Sequence, residues 1–243
     1  MRKLIFQNNQ IYHIYNRGVD KRIVFNDLKD YAAFLDYLAD CNKYKLIDDK
    51  TDDLHKDDDD LKKKKPRKNK VEIIKEDDPL VDILVFCLMP NHFHLLLRQR
   101  IEGGITKFMQ RVGTGYTMFF NSKEKRSGSL FQGRFKAIHV KKQQYLDYLI
   151  FYIHFNPLKL LSGIIMDNRE SLIFLNDYEW SSHREYCFVN EMKESMFLSN
   201  REFILSNFKN SKEYKKKALE WMEILKIENK DKDFNRIVID FEE

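Results

Sequence analysis

The chain has 243 residues, of which 43% are hydrophobic and 14% aromatic, and its formal net charge is +5. This length and composition predict one folded domain with appendages and exclude a wholly disordered chain. No apolar run approaches the roughly 18 residues that cross a bilayer, and the first residues lack the apolar core of a signal peptide. Three scattered cysteines suit a reducing compartment, so we expect a cytoplasmic protein without a membrane partner.

The first strand and the first helix are predicted from alternating apolar residues and from a helix-capping pair. Residues Ile11 to Asn16 alternate as a strand does, and Arg17-Gly18 then predicts a turn. Asn26-Asp27 should cap a helix whose apolar positions share one face. Residues 43–80 break this pattern, because they hold acidic blocks followed by basic blocks. Such blocks bury too little apolar surface to fold, which predicts a charged, disordered insertion.

Two buried strands follow the insertion and meet at a tight turn. Val81 to Met89 is apolar, Pro90-Asn91 predicts the turn, and His92 begins the second strand. Because strand side chains alternate, His92 and His94 share one face while Phe93 points into the core. Two imidazoles supply part of a metal site, although two polar residues on a half-exposed strand would give the same pattern.

The next elements predicted along the chain are a helix, a strand and a second helix. Gly103-Gly104 opens a helix that runs to about Phe120, Leu130 to Val140 predicts a fourth strand, and Lys141 to Asn156 predicts a helix that stops before Pro157. Strand, helix, two strands, helix, strand, helix is typical of an α+β fold. We expect a ferredoxin-like, RRM-like antiparallel sheet with helices on one face, followed by a mainly helical C-terminal extension.

The charge excess is local. Residues 98–142 contain eleven lysines or arginines and two glutamates, with aromatic residues between them. This distribution predicts a polyanionic partner, most economically nucleic acid, although a solvated helix face would also be basic. The candidate DNA-binding residues are Arg98, Lys107, Arg111, Lys123, Lys125, Arg126, Arg134, Lys136, Lys141 and Lys142.

The last predicted helix of the domain carries a tyrosine face. Tyr148, Tyr152 and Asn156 follow one another at i, i+4 spacing and therefore share one side. If this side faces the histidine strand, it offers a phenol and an amide carbonyl beside two imidazoles, which are the parts of a metal-assisted nucleophilic site. Ordinary core packing fits the same spacing. Tyr116 is a competing nucleophile, but the residue four beyond it is Phe120, which cannot bind a metal.

Several segments together resemble a known family. His92-Phe93-His94, preceded by Met89-Pro90-Asn91, and the later segment from Phe151 to Pro157 resemble the single-tyrosine HUH transposases. The resemblance is strongest to the REP-associated tyrosine transposases and their IS200-like insertion-sequence relatives. It is supported by Tyr12-His13 through Arg17-Gly18, by residues 127–136 and by residues 178–182. It divides the chain into a catalytic domain (1–42 and 81–186), the insertion (43–80) and a C-terminal extension (187–243).

The resemblance implies a chemistry and a substrate. His92, His94 and Asn156 would bind Mg or Mn, and Tyr152 would be the nucleophile. The implied enzyme is a DNA transposase that cleaves and rejoins single-stranded DNA at hairpin ends, leaving a 5′-phosphotyrosine and a free 3′-hydroxyl. A homodimer that associates with the nucleoid when bound to DNA is also implied.

Three other functions compete with this reading. The same sheet could be a non-catalytic or domesticated single-stranded nucleic-acid-binding protein, in which the histidines and tyrosines only stack or pack. A replication-type HUH nickase would share the chemistry and differ in its biological outcome. A histidine-dependent nucleotide hydrolase would need a third histidine at position 96, and Leu96 argues against it.

Overall fold

A computed structural model describes residues 4–43, 78–161, 167–188, 198–206, 208 and 210–230 of the chain. Most of the charged insertion at 43–80 and the end of the C-terminal extension lie outside the described residues, so the disorder of the insertion stays a prediction. None of the helices described is both long enough and apolar enough to span a membrane.

The core is a four-stranded antiparallel sheet with the strand order β2-β3-β1-β4. Its elements are β1 (Ile11–Arg17), α1 (Leu28–Asp40), β2 (Val81–Met89), β3 (His92–Gln99), α2 (Gly104–Lys123), β4 (Lys136–His139) and α3 (Gln143–His154). The C-terminal helices are α4 (Asn168–Asp177), α5 (His183–Cys187), α6 (Arg201–Leu205) and α7 (Ser211–Lys230). The α+β, ferredoxin-like fold with a helical C-terminal region is thereby confirmed.

Helices α1 and α2 cover one face of the sheet. Phe93, Leu95 and Leu97 of β3 point to this face and are buried in a core shared with both helices. The side chain of Asp27 caps α1 by accepting a hydrogen bond from the backbone N–H of Asp30, as the sequence predicted. Gly115 has a packing role inside α2, because a Cβ there would lie 2.6 Å from the ring of Tyr37 on α1.

Helix α3 lies on the opposite face together with the C-terminal helices. A second core joins Leu96 of β3 and Tyr148 and Ile153 of α3 with Tyr214 and Met222 of α7. The expectation of helices on one face therefore holds for α1 and α2, while α3 occupies the other face. The reason is that α3 is apolar around most of its circumference, so it can be buried between the sheet and α7.

Strand β4 is shorter than the sequence predicted. Only Lys136–His139 pairs with β1, whereas the pattern had suggested a strand over residues 130–140. Gly133 adopts a left-handed φ of 68°, which interrupts the extended backbone. The preceding loop lies against the end of β1, where the N–H of Gln132 donates to the carbonyl of Arg17 at 2.8 Å.

Candidate active site

The register of the two central strands gathers the polar residues on one face. Arg17 of β1 is paired with His92 of β3, and Tyr15 is paired with His94. Because directly paired residues point to the same side and side chains alternate along each strand, His13 joins these four residues. This is the face that α3 covers, so the predicted histidine pair lies beneath the predicted tyrosine helix.

His92 is oriented by the turn that precedes it. Its Nδ1 lies 2.6 Å from Oδ1 of Asn91, and Nδ2 of Asn91 donates to the carbonyl of Lys21 at 3.2 Å. An amide oxygen can only accept, so the proton of the neutral imidazole is on Nδ1 and the lone pair is on Nε2. Nε2 of His92 is therefore the nitrogen that can bind a metal.

His94 is held by a residue that the sequence reading left without a role. Nδ1 of His94 lies 2.9 Å from Nε2 of His13, and both imidazoles are buried. Burial lowers the pKa of His13 to about 3 and that of His94 well below its ordinary value. Both rings are therefore neutral at pH 7. Alternation along β1 was the available signal for His13, but its contact with His94 depends on strand register.

Tyr152 stands over the histidines from the last turn of α3. Its ring centroid lies 5.7 Å from that of His94, with the planes at 76°, and 6.4 Å from that of His13. It is also stacked on Tyr148 at 5.7 Å. Burial raises the pKa of Tyr152, whereas the adjacent Asn156 amide acts to lower it. The structure thus brings the predicted nucleophile to the two histidines.

Asn156 begins a short 3-10 helix, Asn156–Leu161, directly after α3. Its side chain is buried, and Nδ2 donates to the carbonyl of Tyr152 at 3.4 Å. Within the described residues, Oδ1 of Asn156 is buried and forms no hydrogen bond of normal length. The amide also acts to raise the pKa of His92, which burial and the charge of Arg17 together lower to about 4. The Asn156 side chain therefore lies beside one predicted metal ligand, His92, and beside the predicted nucleophile, Tyr152.

Two cations border the site, and neither was among the predicted site residues. Nζ of Lys159 lies 4.9 Å from the ring centroid of Tyr152, and Arg17 is paired with His92. The positive charges of both residues act to lower the pKa of His92. Lys159 follows Pro157 and lies outside the basic stretch at 98–142, so the local charge count did not find it. The two cations give the site the electrostatics of an anion-binding pocket.

The competing tyrosine lies elsewhere. Tyr116 is fully buried in the core between α1, α2 and the opposite face of the sheet. Its hydroxyl donates to the carbonyl of Val24 at 2.5 Å, and burial raises its pKa strongly. Tyr116 is therefore a core residue, separated from His92 and His94 by the sheet.

The predicted DNA-binding residues fall into two groups. Some are engaged within the protein: Arg98 pairs with Asp82 at 2.6 Å, and Lys123 binds Asp27 and Asp30 at 2.8 and 2.7 Å. Arg111 and Arg126 donate to carbonyls of the chain. The exposed members are Lys107, Lys125, Arg134, Lys136, Lys141 and Lys142. Lys136 lies near the histidines, because its Nζ is 6.0 Å from the ring centroid of Tyr15, which is itself 5.8 Å from the ring centroid of His94.

The predicted metal ligands are two imidazoles and one amide, a set of donors that is compatible with several divalent ions. With Mg or Mn, the ions expected from the sequence resemblance, two imidazole nitrogens and one amide oxygen would leave coordination positions for substrate oxygens. In the part of the chain that the structure describes, no group of three or more His, Cys, Asp and Glu side chains could hold a metal. The candidate site differs from such a group in that its third ligand is the amide of Asn156.

Comparison with known proteins adds sequence evidence. Residues 59–156 match the family model described as "Transposase IS200 like". No curated protein matches the chain significantly. Among solved structures, the chain is similar to "Structure of the REP associates tyrosine transposase bound to a REP hairpin", with 10% identity, a TM-score of 0.44, and coverage of 83% of this chain and 92% of that chain. That likeness is too weak to support a conclusion.

The family match includes all four residues of the candidate centre. His92, His94, Tyr152 and Asn156 lie inside the matched range, as does the hairpin turn that orients His92. The resemblance first seen in the sequence motifs is thereby confirmed over residues 59–156, which are similar to the IS200-like transposase family.

Proposed function

We propose that the protein is a transposase that cleaves and rejoins single-stranded DNA through Tyr152, with Mg²⁺ or Mn²⁺ held by His92, His94 and Asn156. One observation carries the proposal. The Tyr152 ring lies 5.7 Å from the His94 ring, and the adjacent Asn156 has a buried Oδ1 without a hydrogen-bond partner among the described residues. A metal ion bound between these groups would supply the partner that the buried oxygen lacks.

The protonation state of the histidines supports a ligand role. A metal binds the lone pair of a neutral imidazole, and the lowered pKa values of His92 and His94 keep both rings neutral at pH 7. When bound, the ion would polarise the scissile phosphate and stabilise the charge that develops on it. Asn156 would supply a neutral ligand, so substrate phosphate would not be repelled by a carboxylate.

The chain's own residues account for the bond changes. Oη of Tyr152 attacks phosphorus while the bond from phosphorus to the 3′-oxygen of the leaving strand breaks. The products are a 5′-phosphotyrosine and a 3′-oxygen that takes up a proton to become a hydroxyl, while the phenolic proton is released. Attack by another 3′-hydroxyl on the phosphotyrosine then rejoins the strands and returns the proton to the tyrosine.

Positive charge around Tyr152 assists this step. The phenol is protonated at neutral pH because its pKa is raised above the ordinary ~10. Lys159, placed over the ring, favours the phenolate, and Arg17 beside His92 can hold a phosphate oxygen. Together the charges of Lys159 and Arg17 reduce the electrostatic repulsion between the DNA phosphate and the Tyr152 phenolate.

The DNA partner is proposed from charge and from the sequence resemblance. Lys136 on β4 lies beside the site, and further exposed basic residues lie on α2 and in the loops that flank β4. A hairpin as the recognised DNA and a homodimer as the working unit are proposed from the resemblance alone.

The test uses purified protein, Mn²⁺ and labelled single-stranded hairpin oligonucleotides taken from beside its own gene. A denaturing gel should show a slow, protease-sensitive adduct with the natural chain and none with Tyr152→Phe. Both proteins should bind the oligonucleotides equally in a native gel. Binding without an adduct in the natural chain would instead support a non-catalytic DNA-binding protein.

A further inference from the structure

We infer that His13 is a positioning residue for the metal site: it accepts the Nδ1 proton of His94 and thereby directs Nε2 of His94 to the metal. This inference rests on the proposed function, because it concerns how the same site is assembled. It assigns a task to a histidine that is neither one of the proposed ligands nor part of the His-x-His pair.

The geometry comes from the pairing of β1 with β3. His13 is paired with Leu96, two residues beyond His94, so the two imidazoles are diagonal neighbours on one face. Their ring centroids lie 5.1 Å apart with planes at 22°, and the nitrogen atoms that meet are Nε2 of His13 and Nδ1 of His94, 2.9 Å apart. Two neutral rings in this contact share one proton, and only one of them can donate it.

The direction of that hydrogen bond decides whether His94 can be a ligand. If His13 donates, the lone pair of His94 is used at Nδ1, and Nε2 carries a proton that blocks metal binding. If His94 donates from Nδ1, its Nε2 carries the lone pair. Metal binding therefore requires His13 to be the acceptor, in the way that outer partners commonly fix the tautomer of a metal-bound histidine.

The other proposed histidine ligand supports this assignment. His92 has an equivalent arrangement, since its Nδ1 is held by Oδ1 of Asn91. Each proposed histidine ligand thus has a side-chain acceptor at Nδ1.

Paired substitutions test the acceptor directly. In His13→Gln the amide oxygen can reach the position of Nε2 and accept from His94, whereas His13→Phe keeps a ring but removes the acceptor. We expect His13→Phe to weaken Mn²⁺ binding by about 10- to 100-fold, and His13→Gln to restore most of the affinity. Mn²⁺ affinity of the full chain is measured without DNA, by electron paramagnetic resonance of the free ion. Natural affinity in His13→Phe would overturn the inference.

A second measurement does not depend on any variant folding. In the natural chain saturated with Mg²⁺, ¹⁵N NMR of the histidine rings should show the His94 proton on Nδ1. A proton on Nε2 would overturn the inference. Failure of the proposed function is separable, because it would appear as absence of the phosphotyrosine adduct while Mn²⁺ still binds. Absence of Mn²⁺ binding by the natural chain would overturn the assignment of His13 itself.

Discussion

Replacing Lys159 with methionine should slow formation of the phosphotyrosine. The substitution removes a positive charge whose Nζ lies 4.9 Å from the ring centroid of Tyr152, while keeping an unbranched side chain of similar length. A unit charge at about 5 Å is worth about 1 kcal/mol where water screens it, and Lys159 is exposed. Loss of about 1 kcal/mol of phenolate stabilisation corresponds to about fivefold in rate.

The assay is single-turnover adduct formation with saturating hairpin DNA and Mn²⁺, followed from pH 6 to 9. Saturating DNA separates the chemical step from any effect on binding. Because the pKa of Tyr152 lies above this pH range in both proteins, a higher pKa in Lys159→Met should reduce the rate by the same factor of about five at every pH tested. Lys159→Arg keeps the charge and serves as the matched control. Equal rates for Lys159→Met and the natural chain across this range would refute the role of the charge.

Three further results are expected. Lys123→Ala should lower the free energy of unfolding by about 2 kcal/mol, because the fully buried Asp30 carboxylate loses its cation. The same variant should leave hairpin DNA affinity nearly unchanged in a filter-binding assay. A large loss of affinity with natural stability would contradict this. Asn156→Ala removes an oxygen that has no hydrogen-bond partner among the described residues, so calorimetry should show Mn²⁺ binding weakened at least about tenfold, with little change in melting temperature. Burial lowers the pKa of His183 to about 3 and that of His154 well below its usual value. In the unfolded chain these histidines take up a proton near pH 6.5, whereas in the folded chain they stay neutral. Urea unfolding at pH 5 should therefore show about 2 kcal/mol less stability per histidine than at pH 7. Equal stability at the two pH values would count against the buried neutral state.

The parts of the site that depend on local periodicity could be predicted from the sequence. Alternation alone placed His92 and His94 on one face, and i, i+4 spacing placed Tyr152 and Asn156 on one side of a helix. The structure has both arrangements. Whether the helix would face the histidines could not be derived, because it depends on which side of the sheet α3 crosses. Burial of α3 against α7 settles that, and the relevant contacts join segments far apart in sequence.

The sequence gives less information about residues whose contacts come from distant segments of the chain. His13 reaches His94 only because of the register between β1 and β3, which are separated by the whole insertion. Arg98 and Lys123 were counted as DNA-binding residues from a local excess of charge. The structure shows each paired with an acidic residue from another segment, Asp82 for Arg98 and Asp30 for Lys123. A charge count along the chain cannot detect such pairing, and the Lys123→Ala measurement tests whether Lys123 also contacts DNA.

The most direct test is to identify the residue that carries the DNA. The adduct formed by the natural chain is digested with nuclease and trypsin, and the peptide bearing a nucleotide or phosphate is sequenced by mass spectrometry. The proposed mechanism predicts modification of Tyr152 and of no other tyrosine, with Tyr116→Phe forming the same product at a natural rate. A phosphate on Tyr116 or on any other residue, or DNA binding that never yields a modified peptide, would contradict it.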